Sequence, residues 1–162
     1  MKGLLLTTAL CTALMAGLFF AYSFSVVPGL GQLGDYEYLR AMQSINRAIQ
    51  NPFFFIPFFT AVLLLPLSAY RMKDRTRKRL LQAAAACYTI GVMLVTIIGN
   101  VPLNNAIEAM ELHNMSVLEL KAQRFAFEPL WNRLNMVRTV CSSLAFVFVA
   151  WACLHKVNPA DG

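Results

Sequence analysis

Apolar residues fall along the chain in four long blocks: Gly3–Val27, Pro52–Tyr70, Leu80–Val101 and a last run from about Leu134 to Leu154. Polar residues fill the segments between them. Each block is near the ~20 residues an α-helix needs to cross the hydrocarbon of a bilayer. The pattern predicts an all-α fold, an integral membrane four-helix bundle with short extracytoplasmic helices. Pro28 and Gly29 are expected to stop the first helix. Pro57 and Pro66 imply kinks in the second, and Pro129 fits the first turn of the last. Between the first two blocks, Tyr38, Met42, Ile45 and Ile49 recur at helical spacing, so Asp35 is expected to cap a short amphipathic helix running to about Gln50. Asn51-Pro52 breaks it and opens the second span.

The last block is not uniformly apolar. At about 100° per residue, Trp131, Asn135, Arg138, Thr139 and Ser142 share one face, and Leu134, Val137, Val140, Cys141 and Leu144 share the other. A charge at the centre of a membrane helix costs ~2.5–3.5 kcal/mol on insertion scales. Arg138 therefore either snorkels to the headgroups or faces a polar pocket, and the aligned amides favour the pocket. Asn100, Asn104 and Glu108 repeat at four-residue spacing across the end of the third block, with Thr96 one turn before them and Pro102 interrupting the ladder. They are expected at the same membrane level as Asn135 and Arg138. On the amphipathic helix, Gln43, Asn46 and Arg47 either form a solvated face or turn over the outer mouth of the bundle as a lid. The aromatic start of the second span, Phe53 to Phe59, faces lipid or provides a flat wall for a planar ligand. Tyr22 reads as an interfacial anchor, and the Ser23 and Ser25 hydroxyls can bond to carbonyls one turn back.

Composition agrees with a membrane protein. Hydrophobic residues are 58% of the chain, charged residues 14%, and the mean hydropathy is +0.56, too apolar for a soluble domain of this size. Residues 1–156 make a single four-helix transmembrane domain, followed by a short cytoplasmic tail at 157–162. The first block is read as a retained helix, since its run exceeds the ~7–15 residues of a signal peptide's apolar region. The basic cluster Arg71–Arg79 sits between the second and third spans and is expected in the cytoplasm. With four spans, both termini then lie there too, in a multi-pass protein of the cell membrane. The net charge of +6 is thus a topology signal that implies contact with anionic lipids, not nucleic-acid binding. Cys11, Cys87, Cys141 and Cys153 all fall inside proposed spans without metal spacing, and the two histidines, His113 and His155, belong to no ligand motif. No metal and no cofactor are expected. Nothing in the sequence sets an oligomeric state.

The segments Ser25-Val26-Val27-Pro28-Gly29-Leu30, Met42-Gln43-Ser44-Ile45-Asn46-Arg47, Asn51-Pro52, Gly99-Asn100-Val101-Pro102-Leu103-Asn104 and Trp131-x-x-x-Asn135-x-x-Arg138-Thr139 together resemble the anthrone oxygenase-like family of small four-helix membrane proteins. The resemblance extends over nearly the whole chain. It implies oxidation of a planar phenolic or anthrone-like substrate to a quinone without metal or flavin, although most bacterial members have no assigned activity and fold carries over better than reaction. On that reading Arg138, Asn135 and Glu108 are the catalytic candidates. Arg138 and Asn135 would stabilise an enolate oxygen, and Glu108 would be the base, with His113 second. Gln43, Asn46, Arg47, Asn100, Asn104, Trp131 and Thr139 would bind substrate. The alternative is a non-enzymatic membrane protein that binds a lipid or a small aromatic or quinone-like ligand, or supports a partner complex.

Overall fold

The computed structural model describes residues 1–155; the expected tail at 157–162 lies outside the described residues. Five helices account for nearly all of them: α1 (Lys2–Leu30), α2 (Asp35–Ile49), α3 (Pro52–Arg71), α4 (Arg75–Glu108) and α5 (Val117–Leu154). No strand occurs among the described residues, and the all-α bundle is as expected. α1, α3, α4 and α5 are each long and apolar enough to cross a membrane. They pack as a square, with α1 and α4 each set between α3 and α5. α2 and a short 3-10 turn at Leu112–Asn114 lie across one end of the square, the capped end. The Arg71–Arg75 turn marks the other, the basic end.

Proline positions part from the sequence reading. Pro28 does not stop α1, and Pro129 lies inside α5, a full three turns past its start, while Pro102 stands where the regular ladder of α4 is broken and the helix runs on. A proline in a helix lacks its N–H and strikes the carbonyl four residues back. In α1 a π-turn at Tyr22–Val26 ends two residues before Pro28, and in α4 a π-turn at Thr96–Asn100 ends two residues before Pro102. The widened turn moves the opposing carbonyls and lets each helix continue. α5 begins instead with a capping box, in which Ser116 and Glu119 satisfy each other's backbone N–H groups.

At the basic end the helices close on small and branched side chains. Ala61, Leu65, Leu81, Ala84, Ala145, Val149 and Ala152 are fully buried, as expected of membrane helix contacts that rely on close approach. The Thr8 and Ser68 hydroxyls bond across α1 and α3 at 3.0 Å, and Arg77 Nε donates to the Ala152 carbonyl near the end of α5 at 2.7 Å. α2 starts after Gly34, its N-cap, so Asp35 is a first-turn residue and not the cap. Its acid instead accepts from Arg124 at 3.2 Å, while the same guanidinium bonds Glu128 and the Gly31 and Leu33 carbonyls and covers the Tyr38 ring. Burial pushes the Tyr38 phenol well above its usual range, so it packs the capped end as a neutral group.

Candidate functional site

The polar stripe of α5 faces inward. Trp131, Asn135, Arg138, Thr139 and Ser142 are buried, while Val137, Val140 and Leu144 are exposed on the opposite side. Arg138 Nη2 donates to Asn135 Oδ1 at 2.7 Å, and Asn135 Nδ2 donates to Ser23 Oγ at 2.8 Å. Ser23 and Thr139 share a hydrogen bond of 2.6 Å, and Thr139 also reaches the Phe19 and Asn135 carbonyls. The π-turn of α1 places Ser23 here. This chain of bonds holds the Asn135 amide with its oxygen on the guanidinium.

Arg138 has a second kind of support. Its guanidinium carbon lies 4.7 Å from the Phe19 ring centroid and 5.5 Å from that of Trp131, where the ring faces attract a cation. Nη1 reaches Thr96 Oγ1 at 3.4 Å. Nε has no partner, and none of the ion pairs among the described residues includes Arg138, which is 7% exposed. A buried cation with no anion is costly, and the two ring faces and the Asn135 oxygen are what offset that cost here.

Arg138, Asn135 and Trp131 floor a cavity of about 320 Å³ at the capped end. Thr96 and Asn104 of α4 and Asn46 of α2 add polar groups to its wall. Trp131 Nε1 donates to Asn104 Oδ1 at 2.8 Å, and Asn46 Nδ2 is buried without a partner. Phe54, Phe55, Phe58 and Phe59 form the α3 side, while Phe53, 91% exposed, points away. The aromatic start of α3 is thus divided between the cavity wall and the outer surface of the bundle. Phe54 stacks on Phe58 with centroids 5.1 Å apart, and Phe55 on Phe59 at 5.9 Å. Tyr22 also lines the cavity, its ring 5.3 Å from Trp131 and its hydroxyl on Met42 Sδ. α2 covers the cavity with Ile45, Asn46 and Ile49, which is the lid geometry.

Other expected site residues lie elsewhere. Asn100 is buried at 1% exposure beside the cavity wall with both amide atoms unpartnered. Gln43 Nε2 donates to the Ile107 and Met110 carbonyls and so clamps α2 to the end of α4. Thr139 is behind the cavity floor. Arg47 pairs with Glu108 at 2.9 Å on the exposed surface, which removes Glu108 from the wall where a base would stand. His113 contacts Tyr36, also outside. Among the described residues no carboxylate or imidazole lines the cavity. Among the described residues no three of His, Cys, Asp and Glu gather as metal ligands. The sequence reading missed Ser23 as a partner of the site and Arg124 as the stitch of the capped end.

The fold and cavity define a class: a helical protein with four membrane-length spans around an aromatic-walled, cation-floored pocket. Residues 41–148 match the family model described as anthrone oxygenase. The match covers more than half of the chain, and the chain belongs to the anthrone oxygenase family. Asn46, Asn104, Trp131, Asn135 and Arg138 fall within the matched stretch, whereas Phe19, Tyr22 and Ser23 precede it. Neither a curated protein nor a solved structure matches the chain.

Proposed function

We propose that this protein is a membrane oxygenase that converts a planar phenolic or anthrone-like substrate to a quinone in the cavity above Arg138. Membership of the anthrone oxygenase family supports an oxygenase-like role, and one observation carries the finer reading. The Arg138 guanidinium is buried on the cavity floor with an unpartnered Nε and no carboxylate, so an oxyanion on the ligand is the charge it lacks. Asn135 holds the guanidinium by its oxygen, and Thr96 lies on the other side.

The reaction balances with dioxygen as the sole oxidant. The substrate's methylene carbon, between two aryl rings, loses a proton and its keto oxygen becomes the enolate oxygen that Arg138 stabilises. The carbanion gives electrons to dioxygen, forming a carbon–oxygen bond and a peroxide that takes up a proton. Loss of water from the hydroperoxide, with the second methylene hydrogen, leaves the new carbonyl. Net, one substrate and one dioxygen give one quinone and one water. Gln50 and Asn105 stand on the exposed rim of the cavity, and water there receives the first proton. Glu108 is not proposed as the base.

The protein is read as a multi-pass protein of the cell membrane with both ends and the Arg71–Arg79 segment in the cytoplasm, in contact with membrane lipids. Membrane-impermeant thiol reagents applied to sealed cells should label cysteines introduced at Asp35 or Met115 and miss one at Arg75. A single observation favours the second reading, a non-enzymatic binder of a lipid or quinone: the cavity wall has no carboxylate or imidazole. Oxygen uptake with emodin anthrone in nanodiscs separates the two. The oxygenase consumes one dioxygen per anthraquinone formed at a rate above spontaneous autoxidation. A rate equal to autoxidation, across several anthrones and hydroquinones, leaves the binder.

A further inference from the structure

The cavity has a side opening. α3 meets α4 chiefly through Arg75–Tyr88, towards the basic end; beyond that stretch Thr89–Asn100 pack on α5 and Val101–Glu108 on α2. The two helices therefore part towards the capped end. Phe55 and Phe59 on α3, and Ile97 and Val101 on α4, line the cavity and are at the same time exposed on the outside of the bundle. A side chain with both properties stands at an opening. Each pair is spaced i, i+4 and so occupies one edge of its helix, giving a gap with two apolar jambs. Its rim has no charge, and it opens on the flank that membrane-length helices turn to hydrocarbon. On the capped side, α2 covers the cavity with Ile45, Asn46 and Ile49, leaving only the polar rim of Gln50 and Asn105 open.

We infer that the gap between α3 and α4 is a lateral portal through which a flat, apolar aromatic molecule dissolved in the bilayer enters the cavity. The inference rests on the proposal that such a molecule is the ligand. A planar ring slides edge-on between the stacked phenyl rings of Phe55 and Phe59 and the aliphatic edge of α4, burying its faces throughout and never leaving an apolar medium. Its oxygen reaches Arg138 only at the end of the path. Phe55, Phe59, Ile97 and Val101 thus select by thickness before the polar floor selects by charge.

The chain has two tryptophans, so Trp151→Phe leaves Trp131, on the cavity wall, as the only reporter. Emodin, a hydroxylated anthraquinone, is delivered from donor vesicles to the Trp151→Phe protein in nanodiscs, and quenching of Trp131 is followed in time. Narrowing the gap with Ile97→Phe plus Val101→Phe should slow association and dissociation, each on the order of tenfold; the two rates are the readout, since both residues also line the cavity. Ile90→Phe and Ile98→Phe, on exposed parts of α4 away from the cavity, should leave both rates alone. Widening with Ile97→Ala and Val101→Ala should speed both, a result that does not depend on accommodating bulk. Rates indifferent to narrowing and widening overturn the portal even when oxygen uptake is normal. Quenching that responds as described, without oxygen uptake above autoxidation, keeps the portal and discards the oxygenase. No quenching in the parent protein discards both.

Discussion

The two ends of the bundle are built on opposite terms. At the basic end, α1, α3, α4 and α5 meet through alanines and branched aliphatics buried to the last atom. At the capped end the same helices stand apart, carry two π-turns and enclose a cavity whose floor is a guanidinium and amides. The difference teaches that the closed end supplies the rigidity and the open end uses it. Buried polar groups need partners, yet Arg138, Asn46 and Asn100 each keep an unpartnered atom, and all three lie towards the open end.

The largest effect expected from breaking this contrast is chemical. Asn135→Ala should lower turnover on the order of 10²–10³-fold, because the guanidinium that faces the oxyanion loses the amide oxygen that positions it, with thermal stability changed far less. Arg138→Lys should cost at least as much although the charge is kept, because a point ammonium cannot face a ligand oxygen, the Asn135 oxygen and two rings at once. Oxygen-uptake rates on folded protein check both. If Arg138→Lys keeps most of the activity, the planar guanidinium is not what the site requires.

A smaller effect is expected further down α4. A Cβ at Gly91 would overlap the Cys141 side chain on α5, so Gly91→Ala should destabilise the bundle by about 1–3 kcal/mol, read as a lower unfolding midpoint. Cys141→Gly in the same protein should restore it, and failure of that rescue would show that the helices are not held at this distance. At the lid, Gln43→Ala removes the clamp on the Ile107 and Met110 carbonyls. The expected loss is about 1 kcal/mol, with KM raised more than kcat is lowered. The smallest effect belongs to Glu108→Gln. Its pair with Arg47 is largely exposed on both sides, where such pairs contribute under ~1 kcal/mol, and turnover should stay within about threefold. A large loss of kcat would instead return Glu108 to the role of base.

The sequence made the inward face of α5 legible, because a polar stripe at helical period inside an apolar block has few other solutions. The number of spans was legible for the same reason. Helix ends were not. Pro28 reads as a stop and Pro129 as a start, but a π-turn lets α1 run past Pro28, and α5 begins three turns before Pro129 at its capping box. Ser23 was hidden because its hydroxyl has a local option, a carbonyl one turn back. Its actual partners, Asn135 and Thr139, are more than a hundred positions away. Glu108 shares a spacing with Asn100 and Asn104, yet α4 turns it to the surface by the time it reaches Arg47.

The π-turns carry a consequence for how the chain tolerates change. A π-turn is an α-helix holding one surplus residue, and removing one residue from Thr96–Asn100 would take out that surplus, leaving the separate π-turn at Thr89–Leu94, while rotating everything after it by roughly 100°. Asn104 would swing off Trp131 Nε1, and Gln43 would lose the Ile107 carbonyl. The same deletion in Tyr22–Val26 would turn Val27 and Leu30 away from the Tyr38 cluster. Many single replacements in these stretches leave the backbone path intact, but a change of count by one dismantles the pocket without touching Arg138. In these two segments the spacing of the chain, more than the identity of its side chains, is the feature on which the site depends.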